Sequence, residues 1–282
     1  EVARCGRPLD TFQVGFQLAP RLNAAGRLET AQAALHLLKA GTDEEARALA
    51  QQLDQWNRER QTLERQILEQ IGQRLRDRFD PATDYVIVEG DDQWHLGVVG
   101  IVAARLVQEF HRPAVVLGGD HGCLRGSGRS IPGFDLAAAL RACEDLLIRH
   151  GGHALAAGLS LDPSQLSAFR KRLNQLAHQH LDAQALQPVL PVDAEVALRD
   201  LTPRLLDELD RLKPTGPGHP PVHLLMRNVR QARPLQRFGP DRQHVRLWVT
   251  DGQAVAEVVW WSGGLQEDLP VGAFDLVFAP QG

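Results

Sequence analysis

From Thr42 to Phe79 the chain carries no proline and a single glycine, Gly72. Its apolar residues Ala46, Leu49, Leu53, Trp56, Leu63, Ile67 and Leu75 mostly recur at steps of three and four. Such a run folds as one long α-helix, capped by Thr42 or Asp43 and stopped before Pro81. The remainder is largely Glu, Gln and Arg, so one narrow seam packs and most of the surface stays wet. That pattern predicts a connecting helix over 42–79, a spacer between domains. Before it, a loop leads into an apolar-striped helix from Glu29 to Ala40, which Gly41 closes with a left-handed turn.

After the helix the pattern changes to α/β. Tyr85-Val-Ile-Val-Glu and Ala114-Val-Val-Leu read as buried strands, Gly158-Leu-Ser-Leu as a further one. Gly97 to Phe110, Phe134 to His150 and Gln165 to Leu181 read as helices. Continuous aliphatic strands alternating with helices predict a mainly parallel sheet over about 80–182. From about Pro188 onward come a helix at Pro203 to Leu212 and a proline- and glycine-rich loop, Lys213 to Pro221. Alternating segments follow at Val222–Met226, His244–Thr250, Ala254–Trp261 and Phe274–Phe278, joined by turns such as Asp251-Gly252. They predict a small antiparallel barrel over 188–282.

Composition narrows the classes. A chain of 282 residues exceeds one small core, which fits two or three units. No run is apolar enough to span a bilayer, and the start, Glu1-Val-Ala-Arg-Cys5, lacks the basic and apolar regions of a secretion signal. It also lacks Met, an expectation of further sequence upstream. Cys5, Cys123 and Cys143 form no CxxC pair, which argues against a cysteine-built zinc site and for a cytoplasmic protein with free thiols. A net charge of −4 argues against an all-basic surface but leaves room for a local basic groove. Only Lys39, Lys171 and Lys213 are lysines among 31 basic residues, so the rest are arginines. Their planar forks suit phosphate, although GC-rich codon usage is the simpler account of the bias.

Four constellations carry candidate chemistry. In Trp94-His-Leu-Gly-Val-Val-Gly-Ile-Val-Ala-Ala-Arg-Leu106, at a strand-to-helix junction, His95, Gly97 and Gly100 fit either a phosphate at free helix amides or close helix–sheet packing. Leu124-Arg-Gly-Ser-Gly-Arg-Ser-Ile131 reads as a mobile turn. Its donors Arg125, Ser127, Arg129 and Ser130 suit phosphate oxygens, with no acidic residue among them. His150-Gly-Gly-His153 reads as a tight turn in which Gly151 and Gly152 bring the chain and His153 against a ligand; a helix end with an incidental histidine is the alternative. In Phe16 to Leu28, read as a loop, Arg21, Asn23 and Arg27 either touch a nucleic-acid backbone or tie the loop to a neighbouring domain. Asp91-Asp92 reads as a solvated turn, and of Trp260 and Trp261 one faces the barrel core while the other is left for base stacking.

Taken in order, these motifs resemble the RecJ branch of the DHH phosphoesterase family. Ala19-Pro-Arg-Leu-Asn-Ala-Ala-Gly-Arg-Leu28 is similar to the end of the catalytic DHH domain, placed here at 1–41. His95 to Leu106, Gly126-Ser-Gly-Arg-Ser130 and Gly151-Gly-His153 are similar to the DHH-associated domain, at 80–182, and 188–282 resembles the family's OB-fold. The resemblance implies a single-stranded-DNA-specific 5′-to-3′ exonuclease of DNA repair and recombination. Mn2+ or Mg2+ is held by a DHH half that this sequence does not contain, so catalytic and metal residues are expected in none of it. Ser127, Arg129 and Ser130 would grip the phosphate, with Gly151, Gly152 and His153 lining the same cleft. Single-stranded DNA is the expected partner, with a single-stranded-DNA-binding protein or a helicase as further partners and no membrane. Three other readings stay open: a phosphodiesterase of short RNA or cyclic dinucleotides, a non-catalytic nucleic-acid-binding protein, and a tRNA-recognition appendage.

Overall fold

Thr42 caps the long helix α3 (Asp43–Arg78), its hydroxyl accepting the Glu45 N–H at 3.2 Å. Asp43, Glu44 and Glu45 fill the first turn and Arg76 and Arg78 the last, each charge opposing the helix dipole. The computed structural model describes residues 2–6, 9–216, 218–265 and 271–281, so Glu1 and Pro217 lie outside the described residues. The chain divides into two units, Glu1–Pro188 and Val189–Gly282.

α3 is not a spacer. Its first half packs on α1 (Ala19–Leu28) and α2 (Gln32–Lys39). In its second half Ile67, Ile71 and Leu75 join the core formed by Trp94, Val98, Val102 and Leu106. The buried stripe is wider than the apolar seam because Asp54, Asn57, Arg60 and Glu64 are buried in it as well. The segment read as a loop up to Leu28 is helical: a π-helical stretch, Gln13–Leu18, runs into α1. Pro20 sits where the π-helical stretch passes into α1. Gly41 does not supply a left-handed turn; α2 ends at Ala40 with ψ 131°, already extended.

The first unit's sheet has the order β1-β2-β3-β5-β4, with β1 (Ile87–Asp91), β2 (Ala114–Asp120), β3 (Cys123–Arg129), β4 (Arg149–His153) and β5 (Ala156–Leu161). Only β1 and β2 are parallel; β2–β3, β3–β5 and β4–β5 are antiparallel, so the expected mainly parallel sheet is corrected. Continuous aliphatic runs report burial on both faces, which this sheet also has: α4 (Leu96–Phe110) covers one face, α5 (Leu136–Arg141) and α6 (Leu166–His180) the other. The helix expected over Phe134–His150 reduces to α5 and a 3-10 turn at Glu144–Leu146 before the chain enters β4. On α6, Phe169 and Leu173 are fully buried, as their spacing predicts.

In the second unit β6 (Ala194–Glu195) and α7 (Pro203–Asp210) precede a curled sheet of β7 (Leu224–Phe238), β8 (His244–Thr250), β9 (Val255–Trp260) and β10 (Ala273–Phe278), ordered β10-β7-β8-β9. Met226, Val229, Val245, Leu247 and Val249 form its core. The antiparallel half-barrel is the predicted OB-type architecture, although β7 runs on through Pro234, well past the alternating pattern that ends at Met226.

Candidate nucleic-acid interface

α4 begins at His95, whose Nδ1 accepts the Gly97 N–H at 3.0 Å while the rest of the ring stays exposed. The neutral ring therefore carries its proton on Nε2. The Val98 N–H is taken by the His95 carbonyl at 3.1 Å, so most of the first-turn amides are already used and offer little to a phosphate. The glycines serve close approach instead. A Cβ on Gly97 would fall on the Arg27 carbonyl oxygen, far inside contact distance. One on Gly100 would lie 3.3 Å from both the Arg129 Nη2 and the Ser127 Oγ. α4 thus seats α1 at its first turn and β3 at its second.

β3 is a strand, not the mobile turn expected from its two glycines. Alternation along it sends Arg125, Ser127 and Arg129 to the α4 face and Leu124, Gly126 and Gly128 to the other. Gly128 has no side chain because the Leu136 side chain fills that place. The Arg129 Nη1 donates to the Ser127 Oγ at 2.5 Å and to the Gly128 carbonyl at 2.9 Å. Burial lowers the pKa of the Arg129 guanidinium, and the neighbouring Arg27 cation lowers it further. Among the described residues neither arginine has a carboxylate within ion-pair distance, so two like charges lie near one another, Arg129 half-buried and Arg27 exposed. Ser130 is not part of that group; its hydroxyl donates to the Phe134 carbonyl at 2.7 Å and closes the following turn. Arg125, farther along the strand, is exposed and 3.8 Å from Asp120.

The register across the sheet joins this site to the glycine-flanked histidine. Arg129 pairs with Ala156, which pairs with His153; Ser127 pairs with Gly158, which pairs with Gly151. Partners in one row share a face, so His153 stands on the Arg129 side, roughly 10 Å away across two strand spacings. Gly151 and Gly152 belong to strand β4 rather than to a tight turn. Ala156, Gly158, Gly151 and His153 are exposed, and a Cβ on Gly151 would meet nothing of the protein.

α1 contributes unequally. The Arg27 Nη1 donates to the Gly97 carbonyl at 3.2 Å, and Asn23, one turn earlier on the same face, is exposed. Arg21 is spent elsewhere, on the buried Asp54 carboxylate at 2.8 Å and the Gln17 carbonyl at 2.6 Å. Asn57, Arg60 and Glu64 on α3 escaped the motif reading, and Arg105 on α4 lies inside the motif that ends at Leu106 but was not singled out. The signal on α3 was the gap in the apolar seam between Trp56 and Leu63. Among the described residues no group of three His, Cys, Asp or Glu side chains could hold a metal ion, and Asp91 is engaged by Arg74 at 2.5 Å. No described helix is long and apolar enough to cross a membrane.

In the second unit the solvent face of the sheet carries rings and guanidinium groups. Phe238, His244 and Trp261 form one cluster with centroids 4.9–6.0 Å apart. Arg246 lies over Phe238 at 5.4 Å and Arg233 over Trp248 at 3.8 Å. Trp260, the last residue of β9, packs on the core while Trp261, in the turn that follows, is 62% exposed.

Residues 83–179 match the family model of the DHHA1 domain, and residues 192–282 that of the RecJ OB domain. The single-stranded-DNA-specific exonuclease RecJ of Bacillus subtilis is 37% identical over 263 residues, 92% of this chain and 33% of that protein. That of Thermus thermophilus is 37% identical over 90% of this chain and 35% of its own length; that of Escherichia coli is 36% identical over 78% and 40%. The chain thus spans about a third to two fifths of the curated relatives it matches. The crystal structure of the Thermus thermophilus RecJ in complex with Mn2+ superposes with a TM-score of 0.78 at 32% identity, covering 96% of this chain and 38% of that one. A structure of exonuclease RecJ bound to manganese matches 63% of this chain and 44% of its own, with a TM-score of 0.55 at 38% identity. An α/β unit followed by a curled half-barrel, each matched by its own family model and both found together in these relatives, establishes that the chain belongs to the RecJ family.

Proposed function

We propose that this chain is the strand-gripping part of a single-stranded-DNA-specific 5′-to-3′ exonuclease of DNA repair and recombination. In this reading 1–41 closes a catalytic DHH domain, 42–79 connects, 80–182 is the DHH-associated domain and 188–282 the OB-fold. Bond cleavage belongs to a part of the protein outside this sequence, at Mn2+ or Mg2+, and no step of it is assigned to residues here. The observation that carries the proposal is the acid-free pair Arg27 and Arg129 beside Ser127, opening onto a sheet face kept low by Gly151 and Gly158. Two guanidinium forks and a hydroxyl supply donors for a terminal phosphate dianion, and His153 stands along the same row. Glycine at 151 has no packing partner to explain it, which leaves room for a ligand's backbone. Arg125, Asn23 and His95 flank the site. Ser130 and Arg21 support it from behind. A cytoplasmic location and contacts with a single-stranded-DNA-binding protein or helicase are part of the same proposal.

The second unit adds affinity without sequence preference, by stacking bases on Trp261 and its ring neighbours. The test is a titration of the 282-residue chain with oligodeoxynucleotides that differ only in a 5′-phosphate or 5′-hydroxyl. The phosphorylated strand is expected to bind about tenfold tighter, the gain of one charge-assisted contact worth ~1.4 kcal/mol. Equal affinities would remove the anion site from the proposal. Trp261→Ala is expected to weaken both strands about fivefold, one stacked base, and to leave their ratio unchanged. A change in the ratio would mean that Trp261 reads the end of the strand instead.

A further inference from the structure

The buried polar group on α3 has no place in the proposed site as described, and its chemistry is costly. Glu64 is 3% exposed in its side chain and accepts from the Arg60 Nη1 at 2.8 Å; Arg105, reaching from α4, pairs with its other oxygen. Arg60, itself 10% exposed, also donates to the Asn57 Oδ1 at 3.1 Å. Buried ion pairs seldom stabilise more than apolar residues of the same volume would, so packing of α3 on α4 alone does not account for this one. Its location does offer an account. Burial lowers the Arg60 pKa; Glu64 opposes that shift, and Arg27 and Arg105 add to it. Arg60 therefore senses both the Arg27 of the anion site and Arg105, which lies eight residues, about 12 Å, along α4 from Gly97. Glu64 thus holds two arginines, Arg60 and Arg105, and Arg60 in turn lies within electrostatic reach of Arg27.

We propose that Glu64, buried between α3 and α4, is a specificity-determining residue of the anion site: by holding the Arg60 and Arg105 guanidinium groups it leaves Arg27 and Arg129 as the cations that face a bound phosphate. The inference rests on the reading of that site as a terminal-phosphate pocket. A pair of cations matches one terminal dianion. Arg105 is already 59% exposed, so once its charge is no longer balanced by Glu64 its fork would offer a contact to any internal phosphodiester. A strand without a terminal phosphate would gain that contact in every register along its length. A strand fixed by its terminal phosphate would gain it in one register at most.

Glu64→Gln in the full 282-residue chain is the test, with the same phosphorylated and unphosphorylated strands titrated across a series of salt concentrations. The unphosphorylated strand is expected to bind about fivefold tighter, with its salt slope steeper by about 0.7, the increment for one more phosphate contact on a single strand. The phosphorylated strand is expected to gain less than about twofold, so discrimination falls, and adding Arg105→Gln is expected to cancel the gain. A lower thermal midpoint with both affinities moving by one factor and an unchanged slope would make Glu64 a structural ion-pair partner and overturn the proposal. If Glu64→Gln does not fold, Arg105→Gln alone decides: less than a twofold change in either strand supports a sequestered Arg105, and a loss for both overturns it. Discrimination by the unaltered chain tests the pocket itself, so failure of the pocket and failure of the Glu64 proposal read out separately.

Discussion

Arg129→Ala is expected to weaken binding of a 5′-phosphorylated strand about tenfold and of a 5′-hydroxyl strand less than about twofold. A charge-assisted hydrogen bond is worth ~1.5–3 kcal/mol, and the lower end of that range corresponds to that factor. The stability of the variant carries the second half of the argument. In the unliganded chain Arg129 is half-buried beside Arg27, and its own bonds go to Ser127 and Gly128 within the same strand. Removing it relieves a repulsion and a desolvation and gives up little else. The thermal midpoint of Arg129→Ala is therefore expected to stay level or rise slightly. A residue kept for function at some expense to stability has that signature. A midpoint lower by more than about 5 °C, roughly 1–2 kcal/mol for a unit of this size, would mark Arg129 as a structural residue and shift the anion site elsewhere.

What could be seen in the sequence and what could not divides along physical lines. The long helix was legible from end to end because its cap, its terminal charges and its stop are local features. Its role was not, because Asn57, Arg60 and Glu64 look solvated until α1 and α4 close over them. β3 was misread as a turn because its core-facing positions 126 and 128 are glycines, made necessary by neighbours such as Leu136 that no local pattern reveals. The direction of the strands was misread for a related reason: aliphatic runs record burial on both faces and carry no sign of direction. Within the site, residue type singled out Ser127, Arg129 and Arg27 together with Ser130 and Arg21. Separating the two sets took tertiary structure, since Asp54 lies far from Arg21 in sequence and Phe134 offers Ser130 only a backbone carbonyl.

Gly97→Ala puts the geometry of the site to its sharpest test, because local propensity and tertiary packing predict opposite signs. In the first turn of a helix, alanine in place of glycine would by itself stabilise by up to ~1 kcal/mol. Here the added methyl would fall on the carbonyl oxygen of Arg27, a backbone atom that moves only if the end of α1 moves. Overpacking of this kind costs about 1–3 kcal/mol, and contact with backbone puts it at the upper end. The thermal midpoint of the first unit is expected to fall by about 5 °C or more. As α1 lifts, the Arg27 bond to the Gly97 carbonyl breaks and the cation pair opens, so preference for a 5′-phosphorylated strand is expected to disappear. Gly100→Ala is the matched control. Its methyl would meet the Arg129 Nη2 and the Ser127 Oγ at 3.3 Å, which can yield by a few tenths of an ångström, and the Ser127 Cβ at 3.4 Å, an ordinary contact. That variant is expected to keep its midpoint within about 2 °C, the effect of well under 1 kcal/mol. If Gly97→Ala instead raises the midpoint, α1 is not seated on the first turn of α4, and Arg27 and Arg129 do not form one site.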